Sequence, residues 1–518
     1  MRHLKKYLLI VFVLGVVLLT PVQASARQRR IGDMGFHGGI SESRHLPRTT
    51  ETIILEQGSA RNRTDTNIRM DYREIVFLQG FPWTFEGTKE VRNGNPDPNA
   101  TAGTFRVEHR VFPSASTPDD GVIINRTQIF DVDFQRQGNQ MIYTYIINRN
   151  TWRETITFPD GAVFVLDHQR SSMVVSVIEH STPGVNYYRG DISARLFYVS
   201  NGETVTVEIS GSFHGYSSVW SATETHRLDV QVDASDWALV YQIRPSVTVN
   251  KVLQFVQNEP TVISFEGNFR ELHQSFAGLR YDIFFMPPWM QLDEPDMGTL
   301  SLDTFNVFEQ LPAPDLTHLR GHSAEDDIHR LFAMQVLTGE PRFYVPEQAI
   351  TRGQFLTALA RAISLPVEEP AVTRNRQPVT ITLFSDVDSN RPEFRYIQAV
   401  NRAGIGYGRA DGSFHFDYPI SRQEAFATII RAMGLTSMAL NPTVVTAFAD
   451  SDSIANWAMR DLAVALQLGL IAPDANGNIH PNRAISKAEA ATLLNSLIDY
   501  LREGIVSDYG EQIVNIPR

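Results

Sequence analysis

The sequence predicts a multidomain chain in which an N-terminal all-β module, a sandwich or open barrel, precedes a helical region made of repeats. Three observations point there. Short strand-like runs separated by turn residues fill roughly residues 51–300. The apolar period then turns helical beyond the Pro-rich stretch Leu311-Pro312-Ala313-Pro314-Asp315. Within that second region similar segments recur. A length of 518 residues fits about three or four folded units.

Composition narrows the function classes. The chain is 42% hydrophobic and 10% aromatic, which is ample for packed cores. It has no cysteine, so disulfides, zinc–thiolate sites, iron–sulfur clusters and cysteine nucleophiles are excluded together. A net charge of −12 argues against nucleic acid as a general partner, because phosphate recognition needs a basic face. Of 46 basic residues only Lys5, Lys6, Lys89, Lys251 and Lys487 are lysines.

Residues 1–26 read as a signal peptide. Arg2, Lys5 and Lys6 form a basic start, Tyr7–Leu19 is apolar apart from Gly15, and Ala24-Ser25-Ala26 offers a cleavage site. The apolar run falls short of the ~20 residues a spanning helix needs, so no membrane span is expected after cleavage. Residues 27–50, rich in Arg, Gly and Ser, read as a lead-in. The β module, with room for two subdomains, shows strand-like runs at Thr52–Leu55, Gly103–Val107, Gln140–Ile147, Ala162–Leu166, Arg195–Ser200, Thr204–Ser210, His226–Val232 and Trp237–Gln242. Pro159-Asp160-Gly161 and Ser200-Asn201-Gly202 are turn signals between them. Residues 301–316 form a linker.

Three segments follow at 317–366, 381–436 and 446–502, with a tail at 503–518. The second runs from Phe384-Ser385-Asp386 through a helix to Gly404, Phe414 and Ile420-Ser421-Arg422-Gln423-Glu424. The third runs from Phe448-Ala449-Asp450 through Trp457 to Gly469, Ile479 and Ile485-Ser486-Lys487-Ala488-Glu489. The first is degenerate: it lacks the Phe-x-Asp opening, has Gly339 as its turn glycine, and ends in Ile350-Thr351-Arg352-Gly353-Gln354. Thr351, Ser421 and Ser486 are placed to cap a helix, each with a Gln or Glu three residues on to complete a capping box. The basic residue then falls at the first helical position, the wrong end for a cation in the helix dipole. Its recurrence at an unfavourable place calls for a functional reason.

These residues resemble S-layer homology repeats, whose signature is a Phe-x-Asp opening, a Trp-Ala helix, a Gly turn and Ile-Thr-Arg-Ala-Glu. The resemblance covers about Thr317–Leu501. It implies a pseudo-threefold bundle of three repeats whose grooves bind secondary cell-wall polysaccharide, including pyruvylated forms, on an exported bacterial surface protein. It assigns polymer binding to Arg352, Arg422 and Lys487, with Trp457, Gly404 and Gly469 around them. Only the third segment keeps the Trp, and the grooves using Arg422 and Lys487 are ranked above the one using Arg352. A guanidinium forks onto a carboxylate, whereas an ammonium acts as a point charge. Paired surface charges alone are the competing explanation, but exposed pairs contribute only about 0–1 kcal/mol.

Other constellations carry less. His318, His322, Asp326 and His329 have metal-like spacing but Gly321 interrupts a helix there. Asp386-Val387-Asp388, Asp450-Ser451-Asp452 and Asp474–Asn478 lack the remaining EF-hand ligands. No metal, cofactor or catalytic residue is expected. The tryptophans Trp83, Trp152, Trp220, Trp237 and Trp289 suit core packing better than sugar stacking. The leading expectation is a non-catalytic envelope protein that presents its β module at the surface, where it self-assembles or meets envelope partners. The alternative is a wall-tethered enzyme whose β module acts on a polysaccharide, which would require two carboxylates across a cleft.

Overall fold

A computed structural model describes residues 35–41, 54–55, 67–94, 100–115, 117–118, 121–256, 268–286, 297–302, 307–368, 371–372, 378–379, 383–436, 445 and 447–504. The proposed signal peptide, most of the lead-in and tail, and Trp289 lie outside them. The chain divides into two compact units, one built mainly on the described residues of 67–342 and the other on those of 343–494.

Among the described residues the first unit is built on one 16-stranded antiparallel sheet. Its strands are β1 (Ile40–Ser41), β2 (Asn67–Val76), β3 (Trp83–Asn93), β4 (Ala102–Phe112), β5 (Ile123–Gln137), β6 (Gln140–Ile147), β7 (Arg153–Thr157) and β8 (Val163–Leu166). They continue with β9 (Ser172–Ser181), β10 (Val185–Ser200), β11 (Glu203–Ser218), β12 (Ser221–Asp233), β13 (Ala238–Val256), β14 (Asn268–Phe285), β15 (Met297–Leu302) and β16 (Val307–Gln310). Most strands pair with their sequence neighbours; β7 and β8 form a side hairpin beside β5 and β10, and β16 pairs with β14. A sheet this wide curls. Arg73 on β2 donates to the Ser301 carbonyl on β15 at 2.5 Å, bringing the two ends of the sheet together.

Alternation puts one face inward: Val205, Val207, Ile209 and Phe213 on β11 are buried while Glu203, Glu208 and Ser210 are exposed. Asn201 and Gly202 both take left-handed φ, 51° and 87°, and join β10 to β11 as a two-residue hairpin. The strands run longer than their sequence cores suggest. β13 even carries Pro245, and Gly211 sits where a Cβ would lie 2.1 Å from the Arg227 carbonyl. Trp152 and Trp220 are fully buried, in keeping with a core role.

The interior is completed by the segment Gly35–Ser41. Phe36 packs edge-on against Phe130 and Tyr145 and lies 5.8 Å from His109. A Cβ at Gly39 would meet Tyr72 Oη at 2.1 Å, so only glycine fits that approach. Beside it, Arg126 donates to Glu74 at 2.7 and 2.9 Å and to Glu154 at 2.7 Å, and Tyr72 and Tyr198 donate to those same carboxylates. Each buried charge is therefore paired. At the far end of the sheet Lys251 Nζ lies 3.3 Å from Glu271, beside His273 and Glu309, so the protein's own ammonium supplies the cation for that cluster.

Among the described residues six α-helices follow: α1 (Glu325–Ala333), α2 (Arg352–Ala362), α3 (Phe394–Arg402), α4 (Arg422–Ala432), α5 (Met459–Gln467) and α6 (Lys487–Asp499). α1 belongs with the sheet unit, where Arg330 forks onto Asp499 at 2.6 and 3.1 Å. Gly404 and Gly469 end α3 and α5 with φ of 71° and 69°. After α1 the left-handed position is taken by Gln335, φ 57°, whereas Gly339 lies farther along with φ 99°; the expected turn glycine of the first segment is thus a glutamine. The helix still closes, because Val336 N–H reaches back to Leu331 as Ile405 does to Val400. His318 and His322 do not share a helix, since Gly321 turns the chain between them at φ 83°.

Candidate cell-wall docking site

Three residues that precede α2, α4 and α6 tie these helices together. Ile420 N–H donates to the Ile350 carbonyl, Ile485 N–H to Ile420, and Ile350 N–H to Ile485, at 3.1–3.2 Å each. The ring is closed by backbone alone. The next residues repeat the pattern outward. Arg352 and Gly353 N–H donate to the carbonyls of Tyr418 and Phe416; Arg422 and Gln423 to those of Arg483 and Pro481; Lys487 and Ala488 to those of Gln348 and Pro346. Each helix therefore has two of its orphan first-turn donors satisfied by the following segment.

The capping boxes differ. Thr351 with Gln354 makes the full reciprocal pair. Ser486 does so with Glu489, at 3.1 and 2.9 Å. Ser421 makes no side-chain cap, so the box expected there is not formed. Glu424, the residue that would complete it, instead accepts from Arg352 Nε at 2.5 Å.

The two Phe-x-Asp openings explain themselves. Asp386 accepts from Phe414 and Phe416 N–H at 2.6 and 3.2 Å, and Asp450 from Ile479 and His480 N–H at 3.0 and 2.7 Å. Each aspartate fixes the loop that precedes the Ile-Ser step. Burial would raise the Asp386 carboxyl, but the backbone donors outweigh it and hold it below the ordinary range.

The three cations occupy the same first helical position in unlike surroundings. Arg352 is buried: besides Glu424, its terminal nitrogens donate to the carbonyls of Phe414 and Tyr407, and its guanidinium lies 4.0 Å from the Phe414 ring centre. Arg422 is half-buried, 5.3 Å from the Phe426 ring centre and 3.8 Å from Glu489. Burial and the charge of Arg483 push its guanidinium below the usual arginine value, against the pull of Glu489. Lys487 lies 5.3 Å from the Tyr344 ring centre and donates to the neutral Gln348 side chain at 2.6 Å, and burial lowers its pKa. Trp457 is 51% exposed, next to Arg431, which is held by Asp461 at 3.0 Å. Gly404 and Gly469 serve as helix-end turns. Arg483 had no signal in the motif; only its register against Arg422 reveals it.

Residues 383–426 and 447–491 each match the S-layer homology domain. The chain therefore carries S-layer homology domains, the mark of a secreted cell-surface or S-layer protein. Among relatives it is 30% identical over 175 residues to S-layer protein EA1 of Bacillus anthracis, spanning 34% of this chain and 19% of that protein. It is 30% identical to the S-layer protein of Bacillus licheniformis over 175 residues, 34% of this chain and 18% of that one. An endoglucanase of Bacillus sp. strain KSM-635 is 25% identical over 173 residues, 33% of this chain and 17% of the enzyme. The matches thus span under a fifth of these relatives. No helix among the described residues is long and apolar enough to cross a membrane.

Proposed function

We propose that the chain is a non-catalytic envelope protein held on the cell wall by secondary wall polysaccharide, pyruvylated forms included, bound in grooves between its repeats. In this reading the segment before α2 is a degenerate third repeat, and the three segments form a pseudo-threefold bundle. The observation that carries it is the closed Ile350–Ile420–Ile485 ring with one cation per step facing the next segment. An acidic protein holds an acidic polymer only through such local cations.

The full-length chain should co-sediment with purified bacterial walls and lose that ability when the walls are stripped of secondary polymer. Equal sedimentation with stripped walls would overturn the reading. The endoglucanase relative favours a second reading, in which the β unit is a wall-tethered enzyme on polysaccharide. Release of reducing ends from wall glycans by the intact chain separates the two.

A further inference from the structure

The ring makes the three grooves directly comparable, and their charges do not match. Gln348, Tyr418 and Arg483 are equivalent, because their carbonyls accept the N–H of Lys487, Arg352 and Arg422. Gln354, Glu424 and Glu489 are equivalent third residues of α2, α4 and α6. Arg352 therefore meets one carboxylate and two carbonyls, and its charge is neutralised within the protein. The Arg422 groove instead holds two guanidinium groups against one carboxylate. Glu489 is taken bidentately by Arg483, with Nη1 at 2.9 Å, and also accepts from Ser486 N–H. Arg422 comes no nearer than 3.8 Å to it, and the buried Arg422 Nε has no hydrogen-bond partner. An arginine so under-coordinated by the protein itself carries an unmet demand for an acceptor, since buried N–H groups are nearly always paired.

We infer that Arg422 and Arg483 together form a two-guanidinium clamp for a single oxyanion group, carboxylate or phosphate, on the wall polymer, and that Glu489 competes with that group for Arg483. This rests on the wall-docking reading. The groove bears one surplus positive charge, and Phe426 beneath Arg422 orients the guanidinium plane. Arg483 thereby becomes a binding residue, with Glu489 setting how readily it is released. Paired forks recognise the planar or tetrahedral oxygens of such groups better than an ammonium does.

The test is co-sedimentation of the full-length chain with isolated walls at fixed ionic strength, with folding checked by thermal melting. Arg483→Gln should weaken half-saturation about tenfold, the loss of one charge-assisted contact. Glu489→Gln should strengthen it, because glutamine can still complete the capping box, as Gln354 does with Thr351. Binding unchanged in Arg483→Gln, or weakened in Glu489→Gln with an unaltered melt, overturns the clamp while wild-type binding leaves the docking reading standing. Wild-type failure to sediment would instead sink the docking reading. Competition with acetate or with inorganic phosphate, each against the same salt as chloride, distinguishes the carboxylate from the phosphate source; competition by neither overturns the clamp.

Discussion

Arg352 Nε and Glu424 Oε1 meet at 2.5 Å across two successive segments, and this pair withdraws Glu424 from the capping box that its sequence position offers. A residue readable as a helix cap thus serves as a counter-ion for its neighbour. Arg352→Ala should cost about 2–4 kcal/mol of stability, since it strips a partly buried carboxylate and two carbonyls of their donor. Denaturant unfolding of the full chain measures it.

Wall binding should respond in the opposite order. Arg422→Ala combined with Lys487→Ala is expected to weaken co-sedimentation more than Arg352→Ala, because Arg352 is neutralised by the protein. A larger loss from Arg352→Ala in folded protein would reverse the ranking of the grooves.

The aspartate clamps predict a local effect. Asp386→Asn and Asp450→Asn each weaken two charge-assisted bonds to the backbone and should each cost about 1 kcal/mol. The Asp386 carboxyl is depressed in the fold, so its contribution is present above the ordinary value of 3.8 and is lost as pH falls through the lower folded value. Acid titration of wild type against Asp386→Asn checks the sign.

The β unit carries its own pH dependence. Burial first, then the charges of Arg126 and Lys89, keep His37 below 6.5, although Gln128 pulls the other way; burial and Lys89 do the same to His109. The unfolded chain therefore binds more protons below 6.5, so stability is full above that value and declines as pH drops beneath it. The slope of stability against pH between 5 and 7 should flatten in a His37→Gln, His109→Gln variant.

Phe36 lies at the centre of four aromatic neighbours inside the sheet. Phe36→Ala should cost about 3–5 kcal/mol by leaving a cavity there. A change under 1 kcal/mol would mean that the Gly35–Ser41 segment does not complete the core.

The helical region was legible because each repeat is a local device. An aspartate, a turn glycine and a capped helix all act within a few dozen residues, and their spacing survives in the sequence. The strands were legible as fragments: Gln140–Ile147 was found at its observed bounds, whereas β13 and β14 extend through Pro245 and polar residues that only cross-strand pairing keeps extended. Nothing local announces that Gly35-Phe36-His37 lies in the core, because its partners come from β3 to β11. The Arg422–Arg483 pairing was equally hidden. It depends on which carbonyl accepts which N–H across segments, and no single repeat contains that information.

The isoleucine ring has an odd number of members, and each one gives to one side and takes from the other. Taking any one isoleucine backbone out of the ring would leave one orphan donor and one orphan acceptor among buried residues. Ile350, although its segment lacks the opening aspartate, thus supplies both bonds that Ile420 and Ile485 leave open.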